Sequence, residues 1–145
     1  MHWAEKIADR IIKKNPDKEE YVCAAGISPS GSIHIGNFRD IATSLFVAKA
    51  IEKRGKKARL LFSWDEFDRF RKVPANVKAI DPDNKMEQYI GRPYTSVPNP
   101  FDTEHENYAK YFEDEFMKSI KKFGIEMDYR YQTDMYTSGA YRDDI

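Results

Sequence analysis

Two short segments of the sequence, residues 28–31 and 34–37, combine side chains that can bind an anion. The first reads Ser-Pro-Ser-Gly and the second reads His-Ile-Gly-Asn. Serine, asparagine and histidine side chains can hydrogen-bond to a phosphate oxygen, and glycine lets a ligand come close to the backbone. Because a helix is expected to begin at the second segment, its free backbone N–H groups would also favour an anion. The pattern predicts a phosphate site, while a histidine at a helix start is also a common cap.

Three acidic residues follow an apolar segment further along the chain. Asp65, Glu66 and Asp68 come directly after residues 58–64, which we expect to form a strand. Ligands of open α/β sheets bind beyond the carboxyl ends of the strands, and residues 28–37 follow an earlier strand in the same way. The two groups are therefore expected to meet at one edge of the sheet. Taken alone, the carboxylates fit helix capping or a solvent-exposed face equally well.

The spacing of apolar residues predicts an α/β fold with a parallel sheet. In chain order, we expect a helix at 2–15, a buried strand at 21–25, a helix at 36–53, a buried strand at 58–64, a helix behind a capping box at Thr103 and Glu106, and a weaker strand at 125–131. The core face of the late helix should carry Tyr108, Phe112, Phe116, Ile120 and Phe123. Residues 73–102 are rich in proline and show no clear period, which predicts a long irregular insertion.

The composition fits one globular domain and argues against several other classes of protein. Hydrophobic residues make up 41% and charged residues 33% of the 145 residues, and the formal net charge is zero. The total charge therefore demands no polyanionic partner. Cys23 alone excludes an internal disulfide, and the wide spacing of His2, His34 and His105 argues against a structural zinc site. Without a long apolar segment or a signal peptide, we expect a cytoplasmic protein with no membrane partner.

The longer motifs around these residues resemble one family. His-Ile-Gly-Asn at 34–37 resembles the HIGH signature of class I aminoacyl-tRNA synthetases. The strings Gly-Ile-Ser-Pro-Ser-Gly-x-Ile-His-Ile-Gly-Asn-Phe-Arg-Asp at 26–40 and Ser-Trp-Asp-Glu-Phe-Asp-Arg-Phe-Arg-Lys-Val-Pro at 63–74 resemble the class I lysyl-tRNA synthetases in particular. The resemblance covers essentially the whole chain. It implies a Rossmann-type, HUP-like parallel sheet with flanking helices, incomplete as given.

The same resemblance implies a reaction and a set of site residues. The implied reaction is the ATP- and Mg²⁺-dependent activation of lysine to lysyl-adenylate, followed by transfer to tRNA(Lys). His34 and Asn37 would be catalytic and touch the ATP phosphates. The implied ATP-binding residues are Pro29, Ser30, Gly31, His34, Gly36 and Asn37, and the implied lysine-binding residues are Gly26, Ser28, Asp65, Glu66 and Asp68. No residue of the chain is implied as a metal ligand.

The resemblance also implies that part of the catalytic machinery is absent from these 145 residues. The second family signature, a Lys-Met-Ser-Lys-Ser loop, does not occur, and Lys85-Met86-Glu87 does not replace it. A helix N-terminus contributes roughly 0.3–1 kcal/mol, whereas enzymes typically lower barriers by about 8 kcal/mol or more. The chain is therefore expected to be the amino-terminal half of a catalytic domain, with a connecting region starting at 125–145 and doubtful activity when isolated.

Two other functions fit the same motifs. The chain could be a truncated, non-catalytic paralogue that binds an adenylate or a partner. It could also belong to another nucleotidyltransferase with a His-x-Gly-x motif and a different acceptor.

Overall fold

A computed structural model describes residues 2–32 and 34–142 of the chain. Ile33 of the quoted motif and the last three residues of the expected connecting region lie outside the described residues. The elements are α1 (Trp3–Lys14), β1 (Glu20–Ile27), α2 (Ile35–Lys53), β2 (Lys57–Trp64), α3 (Ala75–Lys78), two 3-10 turns (Lys85–Tyr89 and Tyr94–Ser96), α4 (Tyr108–Lys122), β3 (Asp128–Tyr131) and α5 (Gln132–Thr137). The alternation of helices and strands predicted from the sequence is confirmed.

The three strands form one parallel sheet in the order β1-β2-β3. This sheet with its flanking helices confirms the predicted incomplete Rossmann-type fold. The described residues group into two compact units: unit 1 draws on residues 2–27, 34–63 and 126–130, and unit 2 draws on 28–32, 64–125 and 131–142.

Unit 1 is built on the contact between α1 and α2. Small residues on α1, Ala4 and Ala8, are buried together with Val47 and Ile51 of α2. Because alanine adds little bulk, the two helices can pack closely there. The guanidinium group of Arg54, at the end of α2, donates hydrogen bonds to the Asp9 carboxylate of α1. This pair links the end of α2 to α1 at the surface of the unit.

The two predicted buried strands differ in the structure. The prediction is correct for β2, where Leu60, Leu61, Phe62 and Trp64 are buried. It is wrong for β1, in which Tyr21 is the one buried residue. The reason is strand order: β2 has a neighbour on each side, whereas β1 lies at an edge of the described sheet. An apolar strand sequence therefore did not distinguish a central strand from an edge strand.

Unit 2 has an aromatic core. Phe70, Tyr94, Tyr108 and Phe112 are all buried, and their rings contact one another. The predicted insertion at 73–102 contributes to this core and is less irregular than expected, since it contains α3 and both 3-10 turns. Its buried members are Val73, Val77, Met86, Tyr94 and Val97. The prolines and turns thus carry apolar side chains that anchor the segment.

The start of α4 corrects a sequence prediction. The expected capping box at Thr103 and Glu106 is wrong, because α4 begins at Tyr108 and Asn107 is its cap. The Asn107 side chain accepts a hydrogen bond from the backbone N–H of Lys110, at 3.0 Å. Upstream, the Asp102 carboxylate accepts hydrogen bonds from the backbone N–H groups of residues 104 and 105, so the chain turns there instead of entering the helix.

The predicted core face of α4 is confirmed except at its end. Tyr108, Phe112, Phe116 and Ile120 are buried, whereas Phe123 is 72% exposed. Phe123 is the C-cap residue, and a chain leaving a helix no longer follows the helical period.

A matched pair of substitutions on α2 tests this account of unit 1. Ile51 is fully buried and Ile35 is 87% exposed on the same helix. We expect Ile51→Ala to lower the free energy of unfolding by about 2–5 kcal/mol, because it leaves a cavity against α1. Ile35→Ala should change it by about 0.5 kcal/mol or less. Denaturant unfolding monitored by circular dichroism measures both, and equal effects would contradict the described packing.

Candidate functional site

The imidazole ring of His34 caps α2. Its Nδ1 atom accepts a hydrogen bond from the backbone N–H of Gly36, at 3.2 Å. The Asn37 side-chain oxygen accepts a hydrogen bond from the backbone N–H of His34, at 3.3 Å. Together these two bonds form a capping box at the start of a 19-residue helix. The capping role that the sequence left open for His34 is therefore present in the fold.

The capping bond also fixes which ring nitrogen of His34 can act as a donor. Because Nδ1 accepts a hydrogen from Gly36, the neutral ring carries its own hydrogen on Nε2. The side chain is exposed. An exposed Nε2–H group beside the free N–H groups of a helix start is suited to an oxyanion. Capping and anion binding thus use different atoms of the same ring.

Close packing explains the glycine at position 36. A Cβ atom added there would lie 3.0 Å from Cε1 and 3.1 Å from Nδ1 of His34. Contacts this short force a neighbouring group to move, so any larger residue would displace the imidazole. Gly36 therefore keeps the ring in its capping position, whatever else it accommodates.

The loop at 28–31 is held by its backbone to the aromatic core of unit 2. Pro29 is buried, and the backbone N–H of Ser30 donates to the carbonyl oxygen of Ser28 at 2.8 Å. The hydroxyl of Tyr108 donates to the carbonyl oxygen of Ser30, also at 2.8 Å. Burial raises the pKa of the Tyr108 hydroxyl well above its ordinary value, which keeps the group protonated as a donor.

Gly31, the residue after Ser30, lies near the ring of Pro74. A Cβ atom added at Gly31 would lie 3.4 Å from Cγ of Pro74, at the start of α3. This is an ordinary contact distance, so the loop lies against Pro74 without strain. The predicted ATP-loop residues 29–31 therefore have a defined backbone within unit 2.

The acidic segment after β2 forms a turn from Asp65 to Asp68. The backbone N–H of Asp68 donates to the carbonyl oxygen of Asp65 at 3.2 Å. The hydroxyl of Ser28 donates to the Asp68 carboxylate, and the backbone N–H of Tyr94 donates to the Asp68 carbonyl oxygen at 3.1 Å. Two of the residues implied in lysine binding, Ser28 and Asp68, are therefore in direct contact.

The two aspartates of this turn form no ion pair with the described residues. Burial, and then the negative charge of Asp68, raise the pKa of Asp65. In the described part of the chain, neither Asp65 nor Asp68 takes part in an ion pair. Two adjacent carboxylates in this state favour a bound cation. Gly26, the remaining residue implied in lysine binding, lies on β1 and is exposed.

Glu66 differs from the aspartates on either side. It is completely buried. Its Oε1 atom lies 2.8 Å from the ammonium nitrogen of Lys110, and its Oε2 atom accepts a hydrogen bond from the Thr133 hydroxyl. Lys110 Nζ also lies 3.1 Å from Oε2 of Glu113 and 4.4 Å from the centre of the Tyr131 ring. We name Glu66, Lys110 and Glu113 the buried charge cluster after its two buried carboxylates; the Lys110 side chain is 39% exposed.

The buried charge cluster was missed by the sequence analysis, although the sequence contains a signal for it. Lys110 and Glu113 lie three residues apart, which places them on one side of a helix. Glu113 directly follows Phe112 and falls on the stripe that was interpreted only as an apolar core. A charged residue on the buried side of an amphipathic helix needs a partner, and that requirement indicates a buried ion pair.

The pKa values of the cluster follow from burial and hydrogen bonding. Burial, together with the hydrogen bond to Glu66 and its negative charge, raises the pKa of Glu113 from 4.5 to about 8. Burial would also raise the pKa of Glu66, but hydrogen bonds from Glu113, Lys110 and Thr133 outweigh it and lower that pKa. Among the described residues, Oε1 of Glu113 has no hydrogen-bond partner. Near neutral pH the cluster therefore carries one negative and one positive charge.

Metal and membrane features can be assessed for residues 2–32 and 34–142. That part of the chain contains no group of three or more histidine, cysteine, aspartate or glutamate residues that could hold a metal ion. It also contains no helix with the length and apolar character needed to cross a bilayer. His105 is the histidine with the most acidic surroundings, and its two ring nitrogens lie 2.9 Å from Asp102 and 3.0 Å from Asp114.

The structure brings together part of the predicted site. Residues 34, 36 and 37 form one group in unit 1. Residues 28–31 and 65–68 belong to unit 2, where Ser28 contacts Asp68. The expected meeting of both groups at one edge of the sheet stays a prediction.

The sequence of the chain is similar to those of known proteins. A family model described as tRNA synthetases class I (K) matches residues 1–145. A protein of Treponema pallidum named lysine--tRNA ligase is 44% identical over 145 residues, which cover 100% of this chain and 27% of that protein. Proteins with the same name from Pyrococcus horikoshii and Streptomyces coelicolor are 41% and 42% identical and are covered to 27% and 25%. The chain thus spans about a quarter of the length of these curated relatives.

The raised pKa of Glu113 predicts a pH-dependent stability. Between its ordinary pKa of 4.5 and its folded pKa of about 8, the folded chain keeps a proton that the unfolded chain loses. The free energy of unfolding should therefore fall as pH rises through this window. Glutamine cannot ionise. In this pH window, the free energy of unfolding of Glu113→Gln should therefore rise relative to that of the wild type by up to about 1.4 kcal/mol per pH unit.

Denaturant unfolding from pH 4 to pH 9 measures this difference. The same substitution at the exposed Glu106 serves as the matched control and should follow the wild type. Parallel curves for Glu113→Gln and the wild type would show that Glu113 is ionised in the folded protein.

Proposed function

Because the chain belongs to the tRNA synthetases class I (K) family, we propose that the protein activates lysine with ATP and transfers the lysyl group to tRNA(Lys). The observation that carries the proposal is the match of the family model over all 145 residues. The cap of α2 supports it, because His34 presents an exposed ring donor beside free helix N–H groups. The chain would then supply the half of the active site that contains the HIGH-like signature.

The ATP-binding part of the proposal rests on two groups of residues. His34 and Asn37 would contact the phosphates, His34 through its Nε2–H group and Asn37 through its amide N–H groups. Gly36 would give adenine room at the helix start. The loop at 29–31, which is fixed by Tyr108, would shape the nucleotide site. The proposed phosphate contacts use side-chain donors that the capping box leaves available.

Mg²⁺ enters the proposal as a partner of ATP. The ion would be held mainly by phosphate oxygens and water. When bound, Mg²⁺ would neutralise charge on the phosphates. The residues of this chain would position the nucleotide around it.

The lysine-binding part of the proposal rests on Asp65 and Asp68. Neither forms an ion pair with the described residues, and the Ser28 hydroxyl donates a hydrogen bond to the Asp68 carboxylate. A dibasic amino acid would supply the missing positive charge. Gly26 would let the substrate approach β1. Glu66 stands apart, because its two oxygens already accept hydrogen bonds from Lys110 and Thr133.

In the proposed reaction, a carboxylate oxygen of lysine attacks the α-phosphorus of ATP. The bond from that phosphorus to the pyrophosphate oxygen breaks, and lysyl-adenylate and pyrophosphate form. The 2′-hydroxyl of the terminal tRNA adenosine then attacks the lysyl carbonyl and releases AMP. No covalent intermediate with the enzyme is needed, so the residues of the chain would act by positioning and by stabilising negative charge.

Charge stabilisation from this chain alone falls short of what the reaction requires. The N-terminus of α2 contributes roughly 0.3–1 kcal/mol, and loss of one well-placed donor costs about 3–4 kcal/mol in enzymes that stabilise an oxyanion. We therefore propose that cations outside these 145 residues, such as those of a Lys-Met-Ser-Lys-Ser loop, complete the site. The chain covers about a quarter of the length of its curated relatives, which supports the proposal that other residues contribute to the site.

The domain assignment and the location are proposals of the same kind. We propose that residues 1–145 form the amino-terminal half of a catalytic domain, with an insertion at 73–102 and a connecting region from 125. The full-length family match supports this assignment. We propose the cytoplasm as the location, because charged tRNA is used where protein synthesis takes place.

Amino acid-dependent exchange between ATP and pyrophosphate tests the proposed function. We expect the complete gene product to catalyse exchange with lysine at least about a hundredfold faster than with arginine or cysteine. Cysteine would leave the carboxylates of the site unpaired, and the planar guanidinium of arginine differs in shape and donor geometry from a single ammonium group. Preference for another amino acid would favour a different nucleotidyltransferase. Adenylate binding without exchange would favour a non-catalytic paralogue.

Two substitutions of His34 separate its capping role from its proposed contact with phosphate. His34→Asn retains an N-cap acceptor but lacks the ring Nε2–H, whereas His34→Ala lacks both. We expect both to lower kcat for exchange by about 10²–10³ with a smaller change in lysine affinity. His34→Ala should also lower the free energy of unfolding by about 0.5–2 kcal/mol.

The outcome that would refute the phosphate contact is a His34→Asn protein with the kcat of the wild type. Steady-state exchange kinetics and thermal unfolding of the same preparations give both measurements. Asn at this position keeps the cap, so its kinetic effect cannot be attributed to loss of the helix start.

A further inference from the structure

We propose that Lys110 is a positioning residue for the lysine site: its ammonium group holds the turn from Asp65 to Asp68 through Glu66 and leaves the two aspartates unpaired for the substrate. This inference rests on the proposed function, because it assumes that Asp65 and Asp68 receive the amino acid.

The turn carries three carboxylates in four residues, and their burial differs. Glu66 is buried, Asp65 is partly buried and Asp68 is exposed. The Glu66 side chain therefore points into unit 2 and acts as an anchor, while the Asp68 side chain reaches Ser28. Because Glu66 is bonded to Asp65 and lies two residues from Asp68, its position restricts both.

Among the described residues, Lys110 is the one cation that forms an ion pair with the Glu66 carboxylate. Lys110 Nζ lies 2.8 Å from Oε1, and the Thr133 hydroxyl supplies the second oxygen with a neutral donor. A buried carboxylate that loses its cation is strongly destabilised. Without Lys110, Glu66 would have to take up a proton or leave its site, and in either case the turn would lose the ion pair that fixes it.

The position of Lys110 is itself well defined. Its backbone N–H donates to the Asn107 cap at 3.0 Å, and Tyr108 and Phe112 on either side of it are buried. The Tyr131 ring lies 4.4 Å from the ammonium group and adds a cation–π contact. The cluster is therefore a rigid support from the first turn of α4, and it reaches the acidic turn through one ion pair.

The charge count explains why this support would matter for amino acid selection. The Lys110 ammonium is the same chemical group as the side-chain end of free lysine. By occupying Glu66, it removes that carboxylate from competition for the substrate. The carboxylates left for a second ammonium group are Asp65 and Asp68, so the substrate cation would have one defined place on the turn.

Exchange kinetics of the complete protein test the role of Lys110. We expect Lys110→Met to raise the KM for lysine about tenfold or more while the KM for ATP changes by about twofold or less, because the turn and not the nucleotide site loses its anchor. Lys110→Arg should restore the KM for lysine to within about threefold of the wild type, since arginine can still pair with Glu66.

The matched control is Lys118→Met on the same helix. Lys118 is 72% exposed in its side chain and pairs with Asp114 at 2.8 Å, and exposed pairs of this kind contribute little. Lys118→Met should keep both KM values. If Lys110→Met fails to fold by circular dichroism, Lys110→Arg and Glu66→Gln are compared instead, and Glu66→Gln should raise the KM for lysine while Lys110→Arg does not.

The outcomes distinguish this inference from the function on which it rests. A wild-type protein without lysine-dependent exchange would overturn both. An active wild type whose folded Lys110→Met variant keeps the KM for lysine, or whose KM values for lysine and ATP rise equally, would overturn the role of Lys110 alone. A selective rise in the KM for lysine that arginine reverses would support it.

Discussion

A carboxylate cannot remain ionised in a protein interior without a partner, and this constraint organises unit 2. Glu66 is buried directly after the central strand, so the chain has to bring a cation to it. Lys110 meets this need from the first turn of α4, and the position of that turn depends on the Asn107 cap. The aromatic core that buries Tyr108 and Phe112 then fixes α4 as a whole. The Asn107 cap, α4, the aromatic core and the ion pair between Glu66 and Lys110 therefore depend on one another.

The two halves of the candidate site use side chains in different ways. At the start of α2, one imidazole ring caps the helix with Nδ1 and belongs to a side chain that is exposed. On the turn after β2, the carboxylates differ in their partners. Glu66 is paired with Lys110, while Asp65 and Asp68 form no ion pair with the described residues. A substitution that removes both ring nitrogens of His34 therefore mixes structural and chemical effects. Substitutions on the acidic turn can separate them.

The sequence predicted the order of the elements and the residues of the α2 start, because both depend on local patterns. Helix periodicity placed Phe112 and Ile120 in the core, and the histidine before α2 was recognised as a cap or a ligand. Strand burial was wrong at β1, because burial of a strand depends on how many neighbours it acquires in the sheet. The start of α4 was wrong, because Asn107 competed successfully with Thr103 as a cap. Both errors concern choices that only tertiary contacts decide.

The buried charge cluster shows most clearly what local patterns leave out. Lys110 and Glu66 are 44 residues apart in the chain, so no spacing rule connects them, and each alone resembles an ordinary surface charge. Their pairing reduces the number of unpaired carboxylates on the acidic turn. Three carboxylates suggest a strongly anionic site, whereas the fold neutralises one of them and leaves two. In the proposed lysine site, an amino acid with two ammonium groups and one carboxylate would carry a net charge of +1, and two free carboxylates would leave less excess negative charge beside it than three. The ion pair that stabilises unit 2 would thereby also set the charge that the substrate meets.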